Sequence, residues 1–421
     1  MMLLGLLKME RVMNIIHPAE NDKVIDPGLR HTGYAPTGKC LMRDGKLYYC
    51  GYDVADLTAH SSFEECAYLL LHGELPNEKE LCGFLAQLRG LTITRLNGFI
   101  PPRRNCGEFR RLLTLFGPSW MHTNTMDTLR TMVSFLGTDA FKEPATDNLI
   151  LHNALTLMAT MPLFVAAIAH HKKYGNLRKF PWHITPPKPY SVAKMFLTLL
   201  HGQEPPEEEW KALDASLILY LEHEDNASTH TAHVVTGTNS DIFSANIAGL
   251  CALKGNLHGG ANEYAMELLE EIGDASRARE VLEKKLAAGE LIMGFGHAVY
   301  KNIPDPRCTV MKPIVERLAQ THAQKNLYEL ALGVEEQVFK LLGKSPNIDF
   351  WTAPLYKFLG IPAKLATPVF TMSRTVGWSA HHMEYRKLTA DKRGMPELIR
   401  PRSSEYVGPE PRSYIPISQR S

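Results

Sequence analysis

"GFGHAVYKNIPDPR", residues 294–307, is built to hold two polar side chains in place. Gly294 and Gly296 bracket Phe295, and His297 follows at once. Asp305-Pro306-Arg307 then makes a stiff turn that ends in a guanidinium. Glycine frees the backbone and proline fixes it, so the stretch reads as a device for placing one imidazole and one arginine. It carries only the first half of a dinucleotide-binding glycine fingerprint, because the third glycine and a preceding strand are missing. No Walker A sequence occurs in the chain.

Other polar groups stand in similar company. His258, in "LKGNLHGGANE", falls at the joint between a helix ending near Gly255 and one beginning near Ala261. The glycines there let a ligand approach the backbone, and a helix N-terminus favours negative charge. A plain loop histidine is the competing reading. Asp349 lies between Ile348 and Phe350 in "KSPNIDFWTAP". Desolvation raises the pKa of a carboxyl in apolar surroundings, which suits a general base; a helix N-cap is the alternative. Arg374 in "FTMSRTVGW" and Arg400 in "LIRPRSS" read as salt-bridge partners or as anion ligands. His223 follows a Leu- and Ile-rich helix, while His230 and His233 are spaced to share a helix face. Two ligands at that spacing do not complete a metal site.

The surrounding chain is mostly helical in pattern. "SSFEECAYLLLHGELP" has Ser62 as N-cap, Glu65 to complete a capping box, and Gly73 as the stop. "SVAKMFLTLLHGQEPP" repeats this with Ser191 and Gly202. Further helices are predicted at 78–89, 125–137, 148–172, 208–223, 227–254, 261–272, 275–288, 309–321, 326–343 and 364–387, with Pro162 kinking the apolar one. Only "KLYYCGYDV", 46–54, reads as a strand, half of a small hairpin. An all-α protein follows. The last stretch, from Gly394 to Ser421, looks extended, and its Tyr406, Tyr414 and Ile415 suit a tail laid across a neighbouring subunit.

A chain of 421 residues is long for one core and points to two domains. It is 44% hydrophobic and 22% charged, with a net charge of +1, so no global field draws nucleic acid or membrane, and an anionic ligand must be met by local arginines. Seven scattered cysteines without a CxxC pair suit a reducing compartment, and a cytoplasmic location is expected. The apolar run before Lys8 is too short for a membrane span, and a presequence is not expected.

Taken in order, "GYDVADL", "FLTLLHGQEPP", "EHEDNAST", "ALKGNLHGGANE", "GFGHAVYKNIPDPR", "PNIDF", "SRTVGW" and "IRPR…YVGP" resemble the citrate synthase family from Gly51 to the C-terminus. The resemblance implies a nearly all-helical, citrate-synthase-like homodimer with a large and a small domain and little β-structure near the N-terminus. The large domain would take 1–260 and 367–421, and the small domain 261–366, with Gly259, Gly260, Gly294 and Gly296 near the hinges. It also implies condensation of an acyl-CoA with oxaloacetate in the cleft.

By position, His258 resembles the histidine that bonds the thioester oxygen. His297 resembles the one that bonds the keto oxygen of oxaloacetate, and Asp349 the base that removes a proton from the acyl α-carbon. His223, Arg307 and Arg374 resemble oxaloacetate ligands, and Arg400 the arginine that arrives from the partner subunit. Coenzyme A would lie against Ile292, Met293, Gly294 and Phe295, with Asn347 near the pantetheine arm. "NIPDPR" carries one residue more than the family's usual spacing before Arg307. No metal or redox cofactor is implied, and the coenzyme A thioester is a substrate. Acetyl-CoA as donor gives citrate and propionyl-CoA gives 2-methylcitrate, and the quoted motifs serve both. Readings from other classes are a metal-dependent hydrolase built on His223, His230 and His233, and a non-catalytic helical scaffold.

Overall fold

The computed structural model describes residues 36–99, 122–138, 146–175, 177, 179–297, 299–300, 303–321, 325–400, 411, 413–414 and 417–419. The chain divides into two units, Pro36–Leu398 and Met1–Ala35 with Ile399–Ser421. The first unit opens with a small antiparallel sheet: β1 (Cys40–Arg43), β2 (Lys46–Tyr49) and β3 (Tyr52–Asp53), in the order β1-β2-β3. The single strand predicted over 46–54 is therefore split, because Cys50 and Gly51 turn with positive φ (48° and 93°).

Helices follow: α1 (Val54–His60), α2 (Phe63–His72), α3 (Glu78–Phe99), α4 (Thr125–Thr138), α5 (Asp147–Tyr174), α6 (Val192–His201), α7 (Glu207–Tyr220), α8 (Ala227–Gly237), α9 (Ile242–Leu253), α10 (Ala261–Ile272), α11 (Ala278–Ala287), α12 (Pro306–Thr321), α13 (Lys325–Leu342), α14 (Ile348–Phe358) and α15 (Ala366–Leu388). The stops and starts are local chemistry. Ser62 Oγ accepts from Glu65 N–H and Ser191 Oγ from Lys194 N–H, while Gly73 and Gly202 close their helices in the left-handed conformation. The helix predicted over 227–254 is two. Asn239 takes a positive φ of 62°, and Asp241 caps α9 by accepting from Ser244 N–H. The helix predicted to reach residue 223 ends at Tyr220, which frees Glu222 and His223 to leave the helix axis. That predicted over 275–288 begins as a 3-10 turn at Ala275–Arg277.

α5 and α15 form the centre. α15 is buried along nearly all of Ala366–His382 and packs on α5, α8 and α9. α5 runs unbroken through Pro162; among the described residues it alone is long and apolar enough to cross a membrane, and it is buried in the core. α14 lies between α10 and α12. α10 and α15 begin at Ala261 and Ala366, so the boundaries expected near 260 and 366 fall at helix starts inside this unit. Of the tail residues singled out above, Tyr406 and Ile415 lie outside the described residues, and Tyr414 is exposed.

Candidate active site

Two of the sequence motifs are joined directly. Gly296 N–H donates to Ser345 C=O (2.9 Å), Asn347 N–H donates to Gly294 C=O (2.9 Å), and Phe295 forms an antiparallel bridge with Pro346. "GFGH" and "PNID" thus lie side by side as a two-residue ladder. Gly294 has a φ of 86°, and a Cβ there would stand 3.1 Å from Phe350 Cβ and 3.3 Å from Ala265 Cβ. The glycine is required both by its conformation and by the close approach of α14 and α10. Arg307 is the second residue of α12, which begins at Pro306.

Asp349 sits at the start of α14, half-buried. It is not the N-cap: Asn347 is, with its Oδ1 accepting from Asp349 N–H (3.1 Å). This leaves the Asp349 carboxylate free to face Tyr220, whose hydroxyl donates to Oδ1 at 2.7 Å. Burial pushes the Asp349 carboxyl up to about 6, against the Tyr220 hydrogen bond and the Arg307 charge. Asn347 also donates from Nδ2 to Gly296 C=O (3.0 Å), so its amide ties the ladder to the first turn of α14. Ile292, Gly294 and Phe295 are buried, and Met293 is half-buried.

Three imidazoles of the cluster, those of His297, His258 and His223, are pushed below the ordinary histidine range. Burial, then the Arg307 charge, pushes His297 down to about 4. Its Nδ1 accepts from Val299 N–H (3.1 Å), so the ring proton sits on Nε2. Burial, Arg374 and His297 push His258 down to about 4. His258 Nε2 lies 2.8 Å from Ser228 Oγ, a hydroxyl that also receives Trp378 Nε1–H (3.2 Å). The one hydroxyl proton has two acceptors in reach, His258 Nε2 and Asn226 Oδ1 (2.7 Å). Asn226 Oδ1 already accepts from Ser228 N–H and Thr229 N–H. When the hydroxyl donates to His258, the imidazole carries its own proton on Nδ1. His223 is buried at the end of the Tyr220–His223 stretch, with its ring 4.9 Å from that of His297 and its Nε2 2.9 Å from Tyr300 Oη. Burial, Arg307 and His297 hold it well below the usual range.

Two guanidinium groups complete the cluster, and their situations differ. Arg307 is buried and clamped by Asp305 in a fork, Nε to Oδ1 at 3.0 Å and Nη2 to Oδ2 at 2.7 Å. Arg374, on α15, is equally buried, donates from Nε to Tyr220 C=O (2.8 Å), and has no carboxylate within ion-pair distance among the described residues. Tyr220 therefore ties the cluster together, its hydroxyl on Asp349 and its carbonyl on Arg374. Gly377 lies one turn beyond Arg374. A Cβ there would stand 2.3 Å from Leu221 O, so only glycine lets α15 touch this loop.

Arg400 is exposed and belongs to the other unit. His230 and His233 turn their Nδ1 atoms to Asp225, at 3.2 and 3.3 Å. Among the described residues no group of three His, Cys, Asp or Glu is arranged to hold a metal.

Reasoning from sequence missed Tyr220, Ser228, Asn226, Asp305 and Tyr300. Three signals were in plain view: Asn226 and Ser228 within "EHEDNAST", and Asp305 as the residue ahead of "PR".

A helical scaffold that gathers a carboxyl held near neutrality, neutral imidazoles and two buried guanidinium groups defines an acid–base enzyme for anionic substrates. The chain belongs to the citrate synthase family, matching "Citrate synthase, C-terminal domain" over residues 28–402. It is 38% identical over 379 residues to "Citrate synthase 2" of Bacillus subtilis (strain 168), covering 90% of this chain and 94% of that protein. It is also 38% identical over 374 residues to the "2-methylcitrate synthase" of Shewanella oneidensis, covering 89% and 92%. The crystal structure of citrate synthase from Thermotoga maritima superposes with a TM-score of 0.77 at 32% identity, covering 94% of this chain and 100% of that one. The Thermoplasma acidophilum citrate synthase, in a ternary complex with carboxymethyl coenzyme A and oxaloacetate, superposes with a TM-score of 0.81 at 30% identity, covering 95% and 100%. The chain is thus an enzyme, a transferase of the citrate synthase type, with the family's all-α fold.

Proposed function

We propose that the enzyme condenses an acyl-CoA with oxaloacetate, with acetyl-CoA the main donor and propionyl-CoA accepted more slowly. The observation that carries the chemistry is the opposed displacement of neighbouring groups: Asp349 up to about 6, His258 and His297 down to about 4. At neutral pH this supplies one ionised base and two neutral hydrogen-bond donors. Asp349 takes a proton from the acyl α-carbon while His258 gives its Nδ1 proton to the thioester oxygen, forming the enol. The enol carbon forms a bond to the keto carbon of oxaloacetate, the enol proton returns to His258 as the thioester carbonyl reforms, and the new alkoxide takes the proton of His297 Nε2, which is made good through solvent from the proton taken up by Asp349. Water then hydrolyses the thioester and releases coenzyme A.

Arg374, Arg307 and His223 hold the dicarboxylate, with Arg400 supplied by a second copy in a homodimer. A dianion calls for several cationic groups, and Arg374 has no carboxylate competing for it at ion-pair distance among the described residues. The backbone of 292–295 receives coenzyme A, with Asn347 beside its arm. Residues 261–366 act as the small domain and close over oxaloacetate. The setting is a reducing cytoplasm, in keeping with six described cysteines that are all free.

Thiol release measured with both acyl-CoAs tests the reading. One methylene in an apolar pocket is worth roughly 1–3 kcal/mol, so both should react. A kcat/KM more than about tenfold higher for propionyl-CoA, about 1.4 kcal/mol, would make the protein a 2-methylcitrate synthase. Absence of oxaloacetate-dependent thiol release with either donor refutes the proposal.

A further inference from the structure

Behind the site lies a buried acidic group that the chemistry above does not use. Glu222 is 0% exposed. Its Oε1 accepts from His223 N–H (2.8 Å) and stands 3.0 Å from His381 Nε2. Its Oε2 has no hydrogen-bond partner and faces Gly377, where a Cβ would meet it at 2.6 Å. His381 is buried too. On α15, Arg374, Gly377 and His381 follow at intervals of three and four, so they share one face, and Glu222 lies against that face.

This placement poses an electrostatic problem. An ionised Glu222 beside Arg374 would neutralise the guanidinium of the cluster that, among the described residues, no carboxylate holds, and it would repel an incoming dianion. The two groups do feel each other: Glu222 is the leading influence that favours the charged form of Arg374 against burial. Yet they are not within ion-pair distance, and the carboxylate stands against His381 instead. That 3.0 Å approach is not aligned as a hydrogen bond, since His381 Nε2 has no hydrogen-bond partner, so its value is mainly that of opposite charges at low dielectric.

We propose that His381 is a positioning residue: as an imidazolium it holds the Glu222 carboxylate away from Arg374, leaving that guanidinium free for a carboxylate of the substrate. The inference rests on Arg374 binding oxaloacetate, as proposed above. Protonation of His381 is supported by its surroundings. It faces Glu222 and Asp225 from the α7–α8 connection, Glu384 from its own helix, and the His233 ring of α8 at 5.0 Å. Burial opposes its charge, but these carboxylates, Glu222 first, raise it above the ordinary histidine range. Glu222 is pushed up by burial and yet held below the usual carboxylate range, chiefly by His381 and then by Arg374. The pair is therefore neutral as a unit and Arg374 keeps its net charge. As pH rises through the raised pKa of His381, the compensation is lost and oxaloacetate should bind less well.

Steady-state kinetics on the full chain, with oxaloacetate varied at saturating acyl-CoA, test this. His381→Gln keeps a neutral donor but removes the charge; it should raise KM for oxaloacetate about tenfold with little change in kcat. Glu222→Gln combined with His381→Gln removes both charges and should return KM to within about threefold of the parent, together with loss of the high-pH rise in KM. A merely structural pair would give a double variant worse than either single. That result, or an unchanged KM in a folded His381→Gln protein, overturns the inference. If His381→Gln does not fold, the double variant and the parent's pH profile decide: a parent KM that stays flat above neutral pH overturns it equally. Arg374→Gln separates the two layers. If it leaves KM for oxaloacetate unchanged, the reading of Arg374 fails and this inference with it. If it raises KM while His381→Gln does not, only the inference fails.

Discussion

Removing the Tyr220 hydroxyl should move the pH at which the enzyme switches on. Tyr220→Phe keeps the ring and deletes the donor that stands 2.7 Å from Asp349 Oδ1. The other groups on that hydroxyl are not stranded, because Asn262 Nδ2 and Thr352 Oγ1 already bond each other at 2.6 Å. Burial drives the Asp349 carboxyl up to about 6, and the Tyr220 hydrogen bond is the largest influence pulling the other way. A hydrogen bond to a charged group is worth roughly 1.5–3 kcal/mol, and one pKa unit is about 1.4 kcal/mol. Loss of the donor should therefore lift the carboxyl by about one unit or more. A base works only when ionised, so the acid limb of kcat/KM, near pH 6 in the parent, should move to about pH 7. At pH 6 the ionised fraction would fall from about one half to about one tenth, a fivefold loss, while at pH 8.5 the variant should nearly match the parent. His258 and His297, held down to about 4, do not titrate in this window. The assay is thiol release across pH 5–9 at subsaturating substrate. An acid limb that stays in place, or moves down, refutes Asp349 as the titrating base.

Three further outcomes are expected. Asp349→Asn should abolish condensation while raising the melting temperature at pH 7: a carboxyl lifted to about 6 contributes stability below its unfolded pKa that is lost as pH rises through 6, and the neutral amide escapes this loss; calorimetry at pH 7 and pH 4 should show the gain only at the higher pH. Gly377→Ala places a methyl 2.3 Å from Leu221 O, so α15 must shift, with about 1–3 kcal/mol lost in denaturant titration and a reduced affinity for oxaloacetate. Arg400→Ala and His297→Ala proteins, each inactive, should regain partial activity when refolded together; verified heterodimers without activity would remove Arg400 from the partner's site.

Element ends written in local chemistry were legible: Ser62, Gly73, Ser191 and Gly202 act where the sequence places them. The break inside 227–254 was written there too, in Asn239 and Asp241, but the flanking apolar residues keep a helical period across it and masked the signal. The titratable members of the site were legible because His, Asp and Arg are conspicuous in apolar company. Their supports were not. Tyr220 meets Asp349, and Ser228 meets His258, only through tertiary packing, and a tyrosine or serine in a helical stretch looks ordinary until its neighbour across the fold is known. Glu222 was hidden differently, read as part of a motif whose histidine drew the attention. Arg307 was read as an anion ligand, and its bidentate clamp on Asp305 was overlooked although both stand within the quoted stretch.

The short ladder between Gly294–Gly296 and Ser345–Asn347 also has a mechanical meaning. It welds the stem of His297 to the stem of Asp349, so a shift of one segment carries the other. Tyr220 adds a crossbar, with its hydroxyl on Asp349 and its carbonyl on Arg374, so the ladder and α15 are coupled through a single residue. A displacement at Gly294 or Gly296 is therefore passed to the Asp349 segment through two backbone hydrogen bonds before any side chain responds.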